Sequence, residues 1–351
     1  MLLVPALLLA AAALAAAPDP PEADFLREAR RQSLLSPEEA AYRETSTAEP
    51  YALRAEVLGR TLELVQRYPG RVMPERLGRT VQGRSIWGFR VRDPSVPVQR
   101  TMLVFASIHA LEWISTEVAL AFLEQSAERP PPGVELMIVP ILNVDGRARS
   151  EEDLLEGRTR AYRRANANGV DLNRNFSVHT EPRAIWRHVV PGYYETAQTP
   201  LSEPEAQVID ALGQRGFDVA VSLHAFGGFH FLPWAGSWQR PADWPALLAL
   251  GTAMQDGQGR GAYRPMQLSR FLFFFRGHGM EVDHLYGQYG IPSVLVELTR
   301  SGVGRPGDLK TPFRWYNPRQ PERHRELGVD ALRSVAWDMA WALRTDGTTA
   351  W

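Results

Sequence analysis

The chain has 351 residues, 44% hydrophobic and 23% charged, with a formal net charge of −1 and no cysteine. That length supports one extended core, the fractions are those of an ordinary globular protein, and a charge near zero leaves no basic footprint, so no nucleic-acid partner is expected. Disulfides and a lipid-bearing cysteine anchor are both excluded.

In chain order, Leu2 to Ala17 is almost wholly apolar, ends in Ala15-Ala-Ala17 and gives way to Pro18-Asp-Pro-Pro. This is the pattern of a secretory signal peptide with a small-residue cleavage site, and it falls short of the ~20 residues that cross a bilayer. The expectation is a signal peptide over 1–17 and a secreted or periplasmic protein without stable membrane insertion once the signal is removed. Residues 18–50 read as a lead-in segment, too short for a separately folded inhibitory domain, in which Ser36-Pro-Glu-Glu39 carries a helix-start capping signal.

Thr101-Met-Leu-Val-Phe-Ala-Ser-Ile108 is the largely apolar run of a buried strand; His109 closes it, and a helical pattern starts near Trp113. His109 and Glu112 therefore sit three residues apart at a strand's carboxyl end, and His224 closes a second such run, Asp218-Val-Ala-Val-Ser-Leu-His224. Open α/β sheets collect their sites at those ends. Two imidazoles and one carboxylate are the protein ligands of a catalytic zinc, with the fourth position left for water. The same short pattern recurs at His278-Gly-Met-Glu281, among glycines with no strand to deliver it, and is read as a chance match.

Between the two histidines, Arg160-Ala-Tyr-Arg163-Arg164 clusters cations, either as a solvated face or to place a positive group beside a developing oxyanion. In Gly169-Val-Asp-Leu-Asn173-Arg174-Asn175-Phe176, a guanidinium fork and a neighbouring amide can bind a carboxylate. Lys310 is the only lysine among 39 basic residues, so a single arginine carries little weight alone. Ile291-Pro-Ser-Val-Leu-Val-Glu297 brings a carboxylate to the end of a strand buried on both faces, where an unpaired Glu is costly. Glu297 is then either a structural partner of Arg300 or a general base tuned by burial. Alternating strand and helix patterns imply α/β layers, a mixed β-sheet flanked by helices.

Taken together, these segments resemble the zinc metallocarboxypeptidases of the carboxypeptidase A type, from about Tyr51 to about Leu343. Gly78-Arg-Thr-Val-Gln-Gly-Arg-Ser-Ile-Trp87 is similar to the family's opening hairpin, Pro140-Ile-Leu-Asn-Val-Asp-Gly146 to its central strand and turn, and Ser202-Glu-Pro-Glu205 to a helix start. The resemblance implies a single catalytic domain over 51–345 with a tail over 346–351, acting as a monomer on the C-termini of peptides or proteins. It also implies one zinc on His109, Glu112 and His224, a terminal carboxylate on Asn173 and Arg174, an oxyanion on Arg163, and Glu297 as general base and acid.

Two departures stand out. Leu111 occupies the place where many members have Arg between the two metal ligands, and the stretch Phe271-Leu-Phe-Phe-Phe-Arg-Gly-His-Gly279 lacks the tyrosine that folds over the bound carboxylate, leaving Phe275 in its position. Val282, just before Asp283, corresponds to the floor of the specificity pocket, so an aromatic or large aliphatic C-terminal residue is expected. An N-acyl amino-acid deacylase on a related fold and a catalytically inactive carboxylate-binding relative are the alternatives.

Overall fold

The structure is a computed structural model that describes residues 21–40, 48–181, 199–273, 276–300 and 303–345. The signal-like segment 1–17, the tail 346–351 and Phe275 lie outside the described residues. Eight strands run in chain order as β1 (Val72–Arg79), β2 (Ser85–Val91), β3 (Arg100–Ala106), β4 (Val134–Val139), β5 (Val219–Ala225), β6 (Phe229–Leu232), β7 (Arg264–Gln267) and β8 (Ser293–Leu298). They form one sheet in the order β1-β2-β4-β3-β5-β8-β6-β7. The central β4, β3, β5 and β8 are parallel, while β2 joins β4, and β6 joins β8, antiparallel. This is the mixed, helix-flanked sheet that the sequence implies.

Alternation along the strands builds two cores. Met102, Val104 and Ala106 of β3, Val219, Val221 and Leu223 of β5, and Val294, Val296 and Leu298 of β8 face one side. That side is covered by α3 (Trp113–Glu128), through Ile114, Val118 and Phe122, and by a long C-terminal helix (Glu322–Thr345), through Leu332, Val335 and Met339. The opposite face carries Leu103, Phe105 and Ala220, covered by the helix Pro204–Arg215 through Ala206, Ile209 and Leu212. Each fully buried aliphatic side chain contributes roughly 1.5–3 kcal/mol. Because the period is two, Ser222 and His224 on β5 share the second face with Ala220, as do Leu295 and Glu297 on β8. The sheet therefore aims its polar strand ends at one place. No described helix is long and apolar enough to cross a membrane.

Before α3 come α2 (Arg54–Arg67) and α1 (Pro21–Gln32), the latter packed into the first core. Its Phe25 lies edge-on against Trp87 and Phe89, at 5.1 and 5.3 Å between ring centroids. The capping signal in the lead-in is realised reciprocally: the Glu39 N–H donates to Ser36 Oγ at 3.1 Å and the Ser36 N–H to Glu39 Oε2 at 2.7 Å.

Candidate metal centre and active site

Directly after β3, Ser107 adopts φ 56, a left-handed conformation that non-glycine residues take at some cost, and it turns the chain away from the sheet. The turn is pinned on several sides. Ser107 N–H donates to Ser115 Oγ at 3.1 Å, Asn143 N–H to Ser107 O at 3.0 Å, and the Trp113 indole to Ala110 O at 3.0 Å. The loop so fixed delivers His109 and Glu112, both buried, toward the end of β5.

There, His109 Nδ1 lies 2.8 Å from Glu112 Oε1 and 3.1 Å from His224 Nδ1, and His224 Nδ1 lies 3.2 Å from Glu112 Oε2. One ligand atom from each residue falls within 4.8 Å of the others. The outward nitrogens point elsewhere: His109 Nε2 is 3.2 Å from Asp171 Oδ1, and His224 Nε2 is 3.0 Å from Glu281 Oε1. Metal-bound imidazoles usually donate their second N–H to a carboxylate, and here both rings are set to do so while their Nδ1 atoms converge. The donor set fits a divalent cation such as zinc.

Electrostatics point the same way. Burial opposes ionisation of Glu112 and Asp171, yet the charges and hydrogen bonds of His109 and His224 pull the first down, and Arg164, Arg174 and His109 hold the second far below the usual carboxylate range. Burial also lowers the His224 imidazole, but hydrogen bonds to Glu112 and Glu281 outweigh it and push it up to about 10. Glu297 is raised by burial and by the charge of Glu112. Around the cluster, Glu112, Asp171, Glu281 and Glu297 face Arg164 and Arg174. Four carboxyl groups beside two guanidinium groups favour a bound cation, a role that the proton on His224 takes in part.

Glu297 pairs in register with His224 across β5 and β8, and its Oε2 is buried without a hydrogen-bond partner. Arg300, the alternative partner, is exposed and forms no ion pair with it among the described residues. The Asp171–Arg174 turn places Asn173 and Arg174 on the wall of a cavity beside the cluster. Asn173 Oδ1 accepts the Glu281 N–H at 3.1 Å, which orients the amide and leaves its Nδ2 as a donor. Gly279 makes the close approach possible: its φ is +63, and a Cβ there would sit 2.9 Å from the Arg174 carbonyl oxygen.

Arg163 lies apart from the cluster: its guanidinium is held by Asp153 and lines a polar cavity of about 1010 Å³ that Arg149, Arg158 and Arg164 also line. The neighbouring Arg164 is the residue that reaches the centre, buried, with Nε donating to Asp171 Oδ2 at 2.8 Å and Nη1 3.7 Å from Glu112 Oε1. Adjacent side chains in an irregular segment point to different sides, and the cluster of arginines offers no period to tell them apart.

The cavity beside the centre has a volume of about 370 Å³. Its apolar walls include Phe226, Phe229, Phe231, Leu268, Phe271, Leu272, Met280 and Leu295. Val282 is buried in the same apolar cluster but does not itself line the cavity. Neither acidic neighbour lines it either: Asp283 accepts the Ala235 and Gly236 N–H groups at 2.7 and 2.9 Å, and Glu281 is turned to His224. In the second His-x-x-Glu pattern, His278 Nδ1 lies 3.2 Å from the carbonyl of His179, away from the cluster, whereas Glu281 belongs to the site. Asp171 and Glu281 are further residues of the cluster that the sequence pattern does not single out, and Arg164 is the member of the arginine cluster that reaches it.

The family of zinc carboxypeptidases matches residues 60–311. Among curated relatives, carboxypeptidase O from Bos taurus is 22% identical over 227 residues, 59% of this chain and 59% of that protein. The inactive metallocarboxypeptidase ECM14 from Saccharomyces cerevisiae is 25% identical over 224 residues, 57% of this chain and 51% of that protein. The chain therefore spans less than two thirds of either relative. Among solved structures, bovine thrombin-activatable fibrinolysis inhibitor in complex with tick carboxypeptidase inhibitor superposes with a TM-score of 0.67 at 20% identity, covering 83% of this chain and 98% of that one.

Proposed function

The chain belongs to the zinc carboxypeptidase family, and on that premise we propose that it is a working exopeptidase that hydrolyses the C-terminal peptide bond of peptides or proteins. The observation that carries this reading is the completeness of the constellation. Two imidazoles turn Nδ1 inward beside Glu112, and Glu297 stands in register with His224 at the end of β8. That completeness favours an enzyme over the inactive alternative.

His109, Glu112 and His224 would hold one zinc. When bound, the metal supplies Lewis-acid polarisation of the scissile carbonyl and lowers the pKa of water. Glu297 accepts a proton from the attacking water and delivers it to the departing amine nitrogen, as a general base and then a general acid. Arg164 donates hydrogen bonds to the carbonyl oxygen as it gains negative charge, the role that the family resemblance implies for Arg163. Arg174 and the Asn173 amide bind the free carboxylate and so restrict cleavage to chain ends. The apolar walls receive the last side chain. The signal-like residues 1–17 support action outside the cytoplasm.

Chelation tests the reading together with one substitution. The purified protein is expected to carry about one zinc and to lose peptide hydrolysis reversibly on its removal. Glu297→Gln keeps the shape but not the basicity, so turnover falls by roughly 10²–10⁴-fold with zinc content unchanged. Near-normal turnover by that variant would remove Glu297 from the chemistry.

A further inference from the structure

Resting on the zinc reading above, we propose that Glu281 is a positioning residue for His224: it accepts the Nε2–H hydrogen bond, leaves Nδ1 as the metal-facing nitrogen, and completes the negative charge around the centre. Glu281 is fully buried at the first position of the helix Glu281–Tyr289. Its Oε1 lies 3.0 Å from His224 Nε2, and its Oε2 has no hydrogen-bond partner. A buried carboxylate with one idle oxygen is costly unless positive charge stands close by. Here the helix N-terminus supplies part of that charge, and a dication reached through the imidazole would supply the rest.

Ser222 Oγ competes for the same nitrogen at 2.9 Å. A hydroxyl both donates and accepts and cannot fix a tautomer alone, whereas an ionised carboxylate only accepts. The centre is then built from two unlike pairs. Asp171 serves His109 but shares its oxygens with Arg164 and the Asn173 N–H; among the described residues no guanidinium bonds Glu281, which gives its charge to His224. Glu281 also ties the metal centre to carboxylate recognition, since its own N–H orients Asn173.

The test is zinc affinity of the full chain, measured by competition with a chromogenic chelator, alongside melting of the metal-free protein. Glu281→Gln keeps size and an acceptor but removes the charge, and second-sphere losses of this type weaken metal binding by about 10–100-fold. The expected result is weakening in that range for Glu281→Gln, a smaller change for Ser222→Ala, and metal-free melting of Glu281→Gln close to wild type. Wild-type affinity in both Glu281→Gln and Glu281→Leu would overturn the proposal while leaving the zinc reading intact. A wild-type chain that binds no zinc would overturn both. Imidazole ¹⁵N shifts of the zinc-loaded wild type need no variant: they should report a protonated Nε2 on His224, and a metal-bound Nε2 would refute the assignment.

Discussion

At the scale of single residues, the centre turns on which of two neighbouring arginines faces it. Arg164 is buried against Asp171 and Glu112, while Arg163 is drawn away by Asp153. Removing one donor to a developing oxyanion typically costs about 10²–10³ in kcat. Arg164→Ala, assayed at saturating zinc, should fall in that range, and Arg163→Ala should stay within about threefold of wild type on the same argument. The reverse ranking in steady-state assays would return the role to Arg163. His109, Glu112, His224 and Glu297 were legible because each closes or follows an apolar strand run. Arg164, Asp171 and Glu281 were not, since their roles depend on contacts between segments far apart in the chain.

Elements explain the specificity cavity. β5 and β8 contribute through plain alternation, which is why Leu295 and Glu297 could be placed on one face from sequence. The opposite wall comes from β6, a strand of only four residues, whose Phe229 and Phe231 stack at 5.1 Å between centroids, and from Leu268, Phe271 and Leu272 beyond β7. Such short pieces carry too few residues to show a period. Their arrangement moves the pocket surface from Val282 to Met280 and Leu295 but keeps it apolar. An unpaired cationic side chain buried there costs several kcal/mol. At ~1.4 kcal/mol per decade, matched substrates ending in Phe should exceed those ending in Arg by about 100-fold or more in kcat/KM. Faster release of Arg would mean that an acidic group beyond Glu297 reaches the cavity and that the walls are misassigned.

Over the whole molecule, the layered sheet and its two cores follow from strand alternation, and so were open to a reading of the sequence. The docking of α1 was not: Phe25 buries itself against Trp87 and Phe89, joining part of the 18–50 segment to the catalytic core. Only the capping signal at Ser36 announced local order there, and a cap says nothing about where its helix packs. Among the described residues, the polar cluster at the carboxyl ends of parallel strands opens into an apolar cavity with the Asp171–Arg174 turn on its wall. On the proposed reading, a free C-terminus is the ligand that would use all three. The most direct measurement is mass spectrometry of a peptide ending in Phe and of its C-terminal amide, each incubated with the zinc-loaded protein. Loss of a single residue from the acid, with the amide intact, is the predicted result; equal cleavage of both, internal cleavage, or no cleavage of the acid would contradict it.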